Sequence, residues 1–239
     1  MTEQPQKTRT FALSILAGFI GGGILAGISA TLVQSSTTGL TDVEIENLLS
    51  EGEFDEEEFD LQLQSIRYFQ LYGSVIIGLV AGALLGGIFL ISRIRTRPLK
   101  AALMIAGIAW FVLYVIPTVK YPPSFEAMFN PEAAVKYQTL LAGYTVISGL
   151  SALTTVAAFS KVKKKGKMLA AAAIYLISIA VAYFVFPDYV SENDSVLPQQ
   201  ALAAWRSAVS LSMTVFWLSL GVAGGLLWTY GTKSVDKFA

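Results

Sequence analysis

The chain of 239 residues has no cysteine and no histidine, and only 14% of its residues are charged. Without cysteine there is no disulfide, no thiolate metal ligand and no sulfur nucleophile. Without histidine, both the commonest general base near neutral pH and the commonest transition-metal ligand are missing. A zinc-type site and a serine–histidine triad are thereby excluded. No P-loop pattern occurs either, so the sequence carries no nucleotide-driven motor of that kind. Soluble domains normally hold about 25% charged residues, well above the fraction found here.

What fills the sequence instead is apolar: 54% of residues are hydrophobic. A helix needs about 20 apolar residues to cross the hydrocarbon core. Charge-free stretches of that kind recur at Phe11–Val33, Tyr68–Ser92, Ala101–Val119, Tyr137–Ser160, Met168–Pro187 and Ser207–Thr232. The expected fold is all-α, a polytopic bundle of six transmembrane helices. Residues 1–10 and 233–239 are read as tails, 11–232 as the membrane domain and 34–67 as an acidic loop. A cleaved signal peptide is the alternative for the first stretch, with Lys7 and Arg9 as its basic region. However, 23 charge-free residues are long for such a segment.

The few charges are sorted in space. Lysine and arginine concentrate on cytoplasmic loops. The N-terminus, the second-to-third and fourth-to-fifth connections and the C-terminus hold 13 of the 17 basic residues and only Glu3 and Asp236 as acids. The opposite loops hold the other 15 acids with Arg67, Lys120, Lys136 and Arg206. This alternation predicts six crossings of the plasma membrane with both termini in the cytoplasm.

Arg67-Tyr68, Lys136-Tyr137 and Trp205-Arg206 each pair a base with an aromatic before an even-numbered span, and the bases lie 69 and 70 positions apart. Three repeated helical hairpins would produce this spacing. Ordinary interfacial anchoring of helix ends would also produce it. Small residues four apart, at Gly18 and Gly22, Gly23 and Gly27, Gly78, Gly82 and Gly86, and Gly221 and Gly225, allow close backbone approach. Packing within the chain is the expected use, and a seam for another subunit is the alternative.

No charged residue lies deep in a span, which leaves hydroxyls and amides as the polar content. Thr145, Ser148, Ser151, Thr154 and Thr155 cluster in the fourth span, either bonding to their own helix or lining a substrate path. The first outer loop carries ten acids between Asp42 and Asp60. They make a solvated acidic face, or else concentrate divalent cations, with Glu53, Asp55, Glu56, Glu57 and Glu58 as the candidate ligands. The spacing does not match an EF-hand loop. In the second outer loop, Pro122 and Pro123 stiffen a turn that could act as a lip.

The sequence resembles the CbtA family of predicted cobalt transporter subunits. The likeness rests on the glycine-rich first span ending in Thr31 and Gln34, on Pro122-Pro123 followed by Lys136-Tyr137-Gln138, and on Trp205-Arg206-Ser207-Ala208-Val209-Ser210 leading to Phe216-Trp217 and Gly221. Lys136 stands where the family tends to show arginine, and the long acidic run is an addition to its pattern. The resemblance implies membrane transport of cobalt or a cobalamin-related solute beside a small companion membrane subunit. Arg67, Lys136, Gln138, Arg206, Gln34, Pro122 and Pro123 would form an outer vestibule. The partners expected are the lipid bilayer, the companion and a cobalt ion or chelate, with no cofactor and no nucleic acid. A non-catalytic assembly or substrate-capture component is the alternative function, and no enzymatic activity is expected.

Overall fold

The computed structural model describes residues 19–32, 71–87, 98–124, 126–160, 166–191 and 199–237, and among them all regular structure is helical. Helices α1 (Phe19–Leu32) and α2 (Leu71–Gly87) are short and apolar. Helix α3 starts at Pro98, passes through a π-helical turn at Phe111–Val115 and ends with Ile116–Lys120. A single turn, α4 (Glu126–Phe129), leads to α5 (Pro131–Ser160), α6 (Lys167–Val185) and α7 (Gln199–Lys237). Four stretches are long and apolar enough to cross a membrane: Leu99–Lys120, Pro131–Phe159, Met168–Val185 and Leu202–Tyr230.

Helix ends are set by capping rather than by where charge begins. Asn130 Oδ1 accepts the amides of Glu132 at 3.0 Å and Ala133 at 3.2 Å, and Pro131 follows at the first helical position, where its missing N–H costs nothing. Helix α5 therefore starts before Tyr137 and takes Lys136 into its second turn. Gly166, at φ +89°, precedes α6 in a conformation that a side chain would resist. Helix α7 begins at Gln199, so Trp205 and Arg206 lie inside it rather than ahead of it. At 1.5 Å per residue it reaches about 58 Å, roughly twice the hydrocarbon thickness.

The described residues divide into two compact units. The first holds α1, α2, the start of α3 up to Ile108, and α7 from Ser207 onward. Its helix seams are built from small residues. A Cβ on Gly23 would strike the carbonyl oxygen of Gly78, and one on Gly78 would strike that of Gly23. Gly27 faces the Ser74 backbone and Gly82 the Phe19 backbone in the same way, so α1 and α2 run antiparallel with their main chains touching. The hydroxyls of Thr31 and Ser74, 2.9 Å apart, close one end of the seam. On another side of α1, the fully buried Phe19 ring lies on Gly224, and Ser212 Oγ donates to Ala30 O at 2.8 Å. Gly221 and Gly225 of α7 pack on Leu99, Ala102, Leu103 and Ala106 of α3, again antiparallel. Gly22, Gly23, Gly27, Gly78, Gly82, Gly221 and Gly225 thus pack within the chain; Gly18 lies outside the described residues.

The second unit runs from Ala109 to Arg206, and its core is phenolic: Tyr121, Tyr137, Tyr144 and Tyr175 are buried with Val112, Ile179 and Ala182. Tyr144 meets Tyr121 and Phe186 edge to face at 5.8 and 5.4 Å. Each phenol needs an acceptor, and backbone carbonyls of neighbouring helices supply most of them. Tyr144 donates to Ile179 O at 3.3 Å and Tyr137 to Tyr121 O at 3.3 Å. In the π turn the Ile116 amide donates to Phe111 O. The nitrogen five residues beyond Val112 belongs to Pro117 and has no hydrogen. Ser148 Oγ donates to Val112 O instead, at 2.6 Å, while Tyr175 stands 2.8 Å from Ser148 Oγ and donates to it. Pro117 is thus inside a helix, whereas Pro187 follows the end of α6.

Two outcomes follow from this packing. Gly23→Leu, which cannot fit without separating α1 from α2, is expected to cost about 1–3 kcal/mol or more; thermal unfolding in detergent and loss of a Thr31→Cys/Ser74→Cys disulfide would register it. Ser148→Ala strands two partners and is expected to cost on the order of 1–2 kcal/mol. Thr145→Ala, which removes only a bond to the helix's own Leu141 carbonyl, should leave the melting temperature nearly unchanged in the same assay.

Candidate functional site

The residues singled out in the sequence meet most densely at one end of the second unit, where α3 and α6 finish and α5 and α7 begin. Two helix ends are fastened together there. Lys120, the last residue of α3, forms an ion pair with Asp188 just beyond α6. The Lys120 side chain is only 3% exposed while that of Asp188 is 81% exposed, so the pair reaches outward from a covered ammonium. That ammonium also lies 4.4 Å from the centre of the Tyr183 ring, a favourable cation–π placement. Tyr121 donates its hydroxyl to Pro187 O at 2.6 Å. Burial raises the Tyr121 phenol above its ordinary pKa, opposed in part by the Lys120 charge, so it stays a neutral donor.

A second set of contacts closes over the first. Arg206 Nε donates to Pro123 O at 3.0 Å, which fixes the proline turn against α7. The neighbouring Ser124 hydroxyl lies 3.5 Å from Tyr189 OH and also accepts the Ala127 amide at 3.4 Å. Ser191 donates to Glu126 Oε2 at 2.8 Å. Tyr189 packs edge to face on Tyr137 at 5.2 Å, and Lys136 Nζ sits 6.0 Å from the Tyr189 ring centre.

Of the expected vestibule residues, Arg206 and Pro123 are in contact, and Lys136 reaches the same tyrosine that approaches Ser124. Pro122 is exposed beside them. Gln138 is also exposed, but two positions from Lys136 on a helix it faces away from it. Gln34, Arg67 and the acids Glu53, Asp55, Glu56, Glu57 and Glu58 lie outside the described residues. Among the described residues no group of three or more acids gathers that could hold a metal ion. The polar atoms here bind carbonyls, rings and one another, which holds the shape of the end and leaves Lys136, Asp188 and Pro122 outward.

The hydroxyls of the fourth span divide between the two readings given to them. Thr145, Thr154 and Thr155 donate to carbonyls of their own helix. The Ser148 hydroxyl instead crosses to other helices.

Asp188, Tyr189, Ser191 and Glu126 were not marked by the sequence as parts of a site. One signal for Asp188 was available: the third and fifth spans finish on the same side, so Lys120 and Asp188, each just past a span, carry opposite charges within reach.

No curated protein and no solved structure gives a match to the chain. A family does. The model of the CbtA family, described as a probable cobalt transporter subunit, matches residues 8–229, and the chain belongs to that family.

Proposed function

We propose that this chain is the membrane-embedded subunit through which a cobalt species passes, crossing the bilayer six times with both termini in the cytoplasm and acting beside a companion. Family membership over nearly the whole length carries this reading. The pairing of helices supports the crossing number. Helices α1 and α2, α1 and α7, and α3 and α7 are antiparallel, as alternate crossings require. In the other unit α5 is antiparallel to α3 and α6. The distribution of lysine and arginine supports the orientation.

The chemistry of the chain limits how it can treat its cargo. Cobalt(II) binds nitrogen and oxygen donors, and removing its water takes strong ligands. This sequence has no imidazole and no thiolate, and its six charge-free stretches hold no carboxylate. Only carbonyl, hydroxyl and amide oxygens would meet the metal within the membrane, which suits a hydrated or chelated species or an ion whose further ligands come from the companion. The acids of the first outer loop would raise the local cation concentration ahead of entry. The Arg206–Pro123 contact would hold the outer lip, and the bases spaced along the chain are read as three related hairpins. Because Gly22, Gly23, Gly27, Gly78, Gly82, Gly221 and Gly225 are occupied in packing within the chain, these positions offer the assembly-subunit alternative no free seam.

Uptake of radioactive cobalt by cells producing this chain alone, and then with its neighbouring genes, tests the reading. Uptake above control in either case, dependent on this chain, is the expected result; none in both, with the protein verified in the membrane, would end it. Neutralising the acids between Asp42 and Asp60 should lower uptake several-fold at low cobalt and leave the saturated rate intact. Arg206→Ala should lower the saturated rate several-fold at equal protein level.

A further inference from the structure

The π turn of α3 holds one more residue than an α-helical turn needs, and the bonds around it can be compared in two registers. In the observed register Ile116 donates to Phe111 O, five residues back. In a continuous α-helix the same amide would serve Val112 O, four residues back. In the wide turn the carbonyl of Val112 has no backbone donor, and the Ser148 hydroxyl supplies one. Pro117 has no amide hydrogen in either register, so the carbonyl left without a backbone donor is that of Val112 in the wide turn and would be that of Leu113 in the α register, where the proline ring would also press on it. The Ser148 hydroxyl thus serves the one carbonyl that the wide turn, and not the α register, leaves without a backbone donor. At the head of the turn the buried indole N–H of Trp110 has no acceptor, which is unusual for a buried donor. Wide turns of this type are concentrated at functional positions.

We propose that α3 is a two-register helix in which the Ser148 hydroxyl, itself held by Tyr175, selects the wide turn. Passage to the α register rotates Ile116–Lys120 by about 100° and shifts it about 1.5 Å along the axis. Neither the Lys120–Asp188 pair nor the bond from Tyr121 to Pro187 O survives that rotation. The hydroxyl at mid-helix and the fastening of α3 to α6 are thus two readings of one state. The change of register is the moving step of cobalt passage, and this part rests on the transport reading above; the register itself does not.

The chain has no native cysteine, so a Lys120→Cys/Asp188→Cys pair joined by a short thiol cross-linker reports the fastening in the full-length protein in membranes. Ser148→Ala should lower the cross-link yield at least threefold, and Ser148→Thr, which keeps a hydroxyl, should restore it. Deleting Leu113 removes the spare residue, makes Ile116 the α-helical partner of Phe111 and fixes the observed orientation. In that background Ser148→Ala should leave the yield unchanged. An undiminished yield in Ser148→Ala, or an equal fall in both backgrounds, overturns the proposal, since Ser148 would then act as a static clasp. Deletion of Leu113 should also cut cobalt uptake at least tenfold while the cross-link persists, and retained uptake would overturn the coupling to transport. If the unaltered chain with its neighbouring genes shows no uptake, the transport reading fails, and the cross-link comparison still decides the register.

Discussion

Lipid gives helices no hydrophobic reason to associate, because a leucine gains nothing by leaving hydrocarbon for another leucine. Everything that holds this bundle has to come from close contact or from polar groups that would otherwise go unpaired. The two units meet that demand differently. In the first, glycine and alanine bring main chains together until no side chain fits between them, as at Gly23 and Gly78. In the second, tyrosines span the gaps and end on carbonyls, as Tyr144 does on Ile179 and Tyr121 on Pro187. Large exposed residues such as Leu84, Leu153 and Phe184 are compatible with both solutions, since lipid solvates them.

The sequence read well where the physical signal is local. Runs without charge located the four helices long and apolar enough to cross a membrane, and glycines four apart marked helix faces that do pack within the chain. Boundaries read less well, since absence of charge is blind to capping: Asn130 and Pro131 start α5 ahead of Lys136, and α7 encloses Arg206. The π turn left no trace in the pattern of apolar residues, because one extra residue among uniformly apolar neighbours changes no periodicity. Pro117 was the visible mark, but a proline near a helix end has ordinary explanations. At the candidate site, Arg206 and Pro123 were both singled out and do touch. The Lys120–Asp188 pair was not, since partners 68 positions apart become neighbours only once α3 and α6 are known to finish together.

A subunit for cobalt without histidine or cysteine is an unusual chemical object. The side-chain donors it can offer a metal are oxygen and amine groups, without the imidazole and thiolate that bind first-row metals strongly. The end of the second unit fits that character. Its ammonium is covered and paired, Tyr121 is spent on the Pro187 carbonyl, and its arginine is turned onto a carbonyl, so the charges there organise the protein.

The contact between Gly23 and Gly78 has an evolutionary consequence. A side chain at either position meets the backbone of the other helix, so replacing one glycine first gives no room for replacing the second. Both positions are closed to stepwise change unless α1 and α2 first move apart, and moving apart would also open the contacts at Gly27 and Gly82. Sequence drift in this unit is therefore confined to the outward faces of the two helices, where lipid accepts any apolar residue, while the seam can change only as a whole.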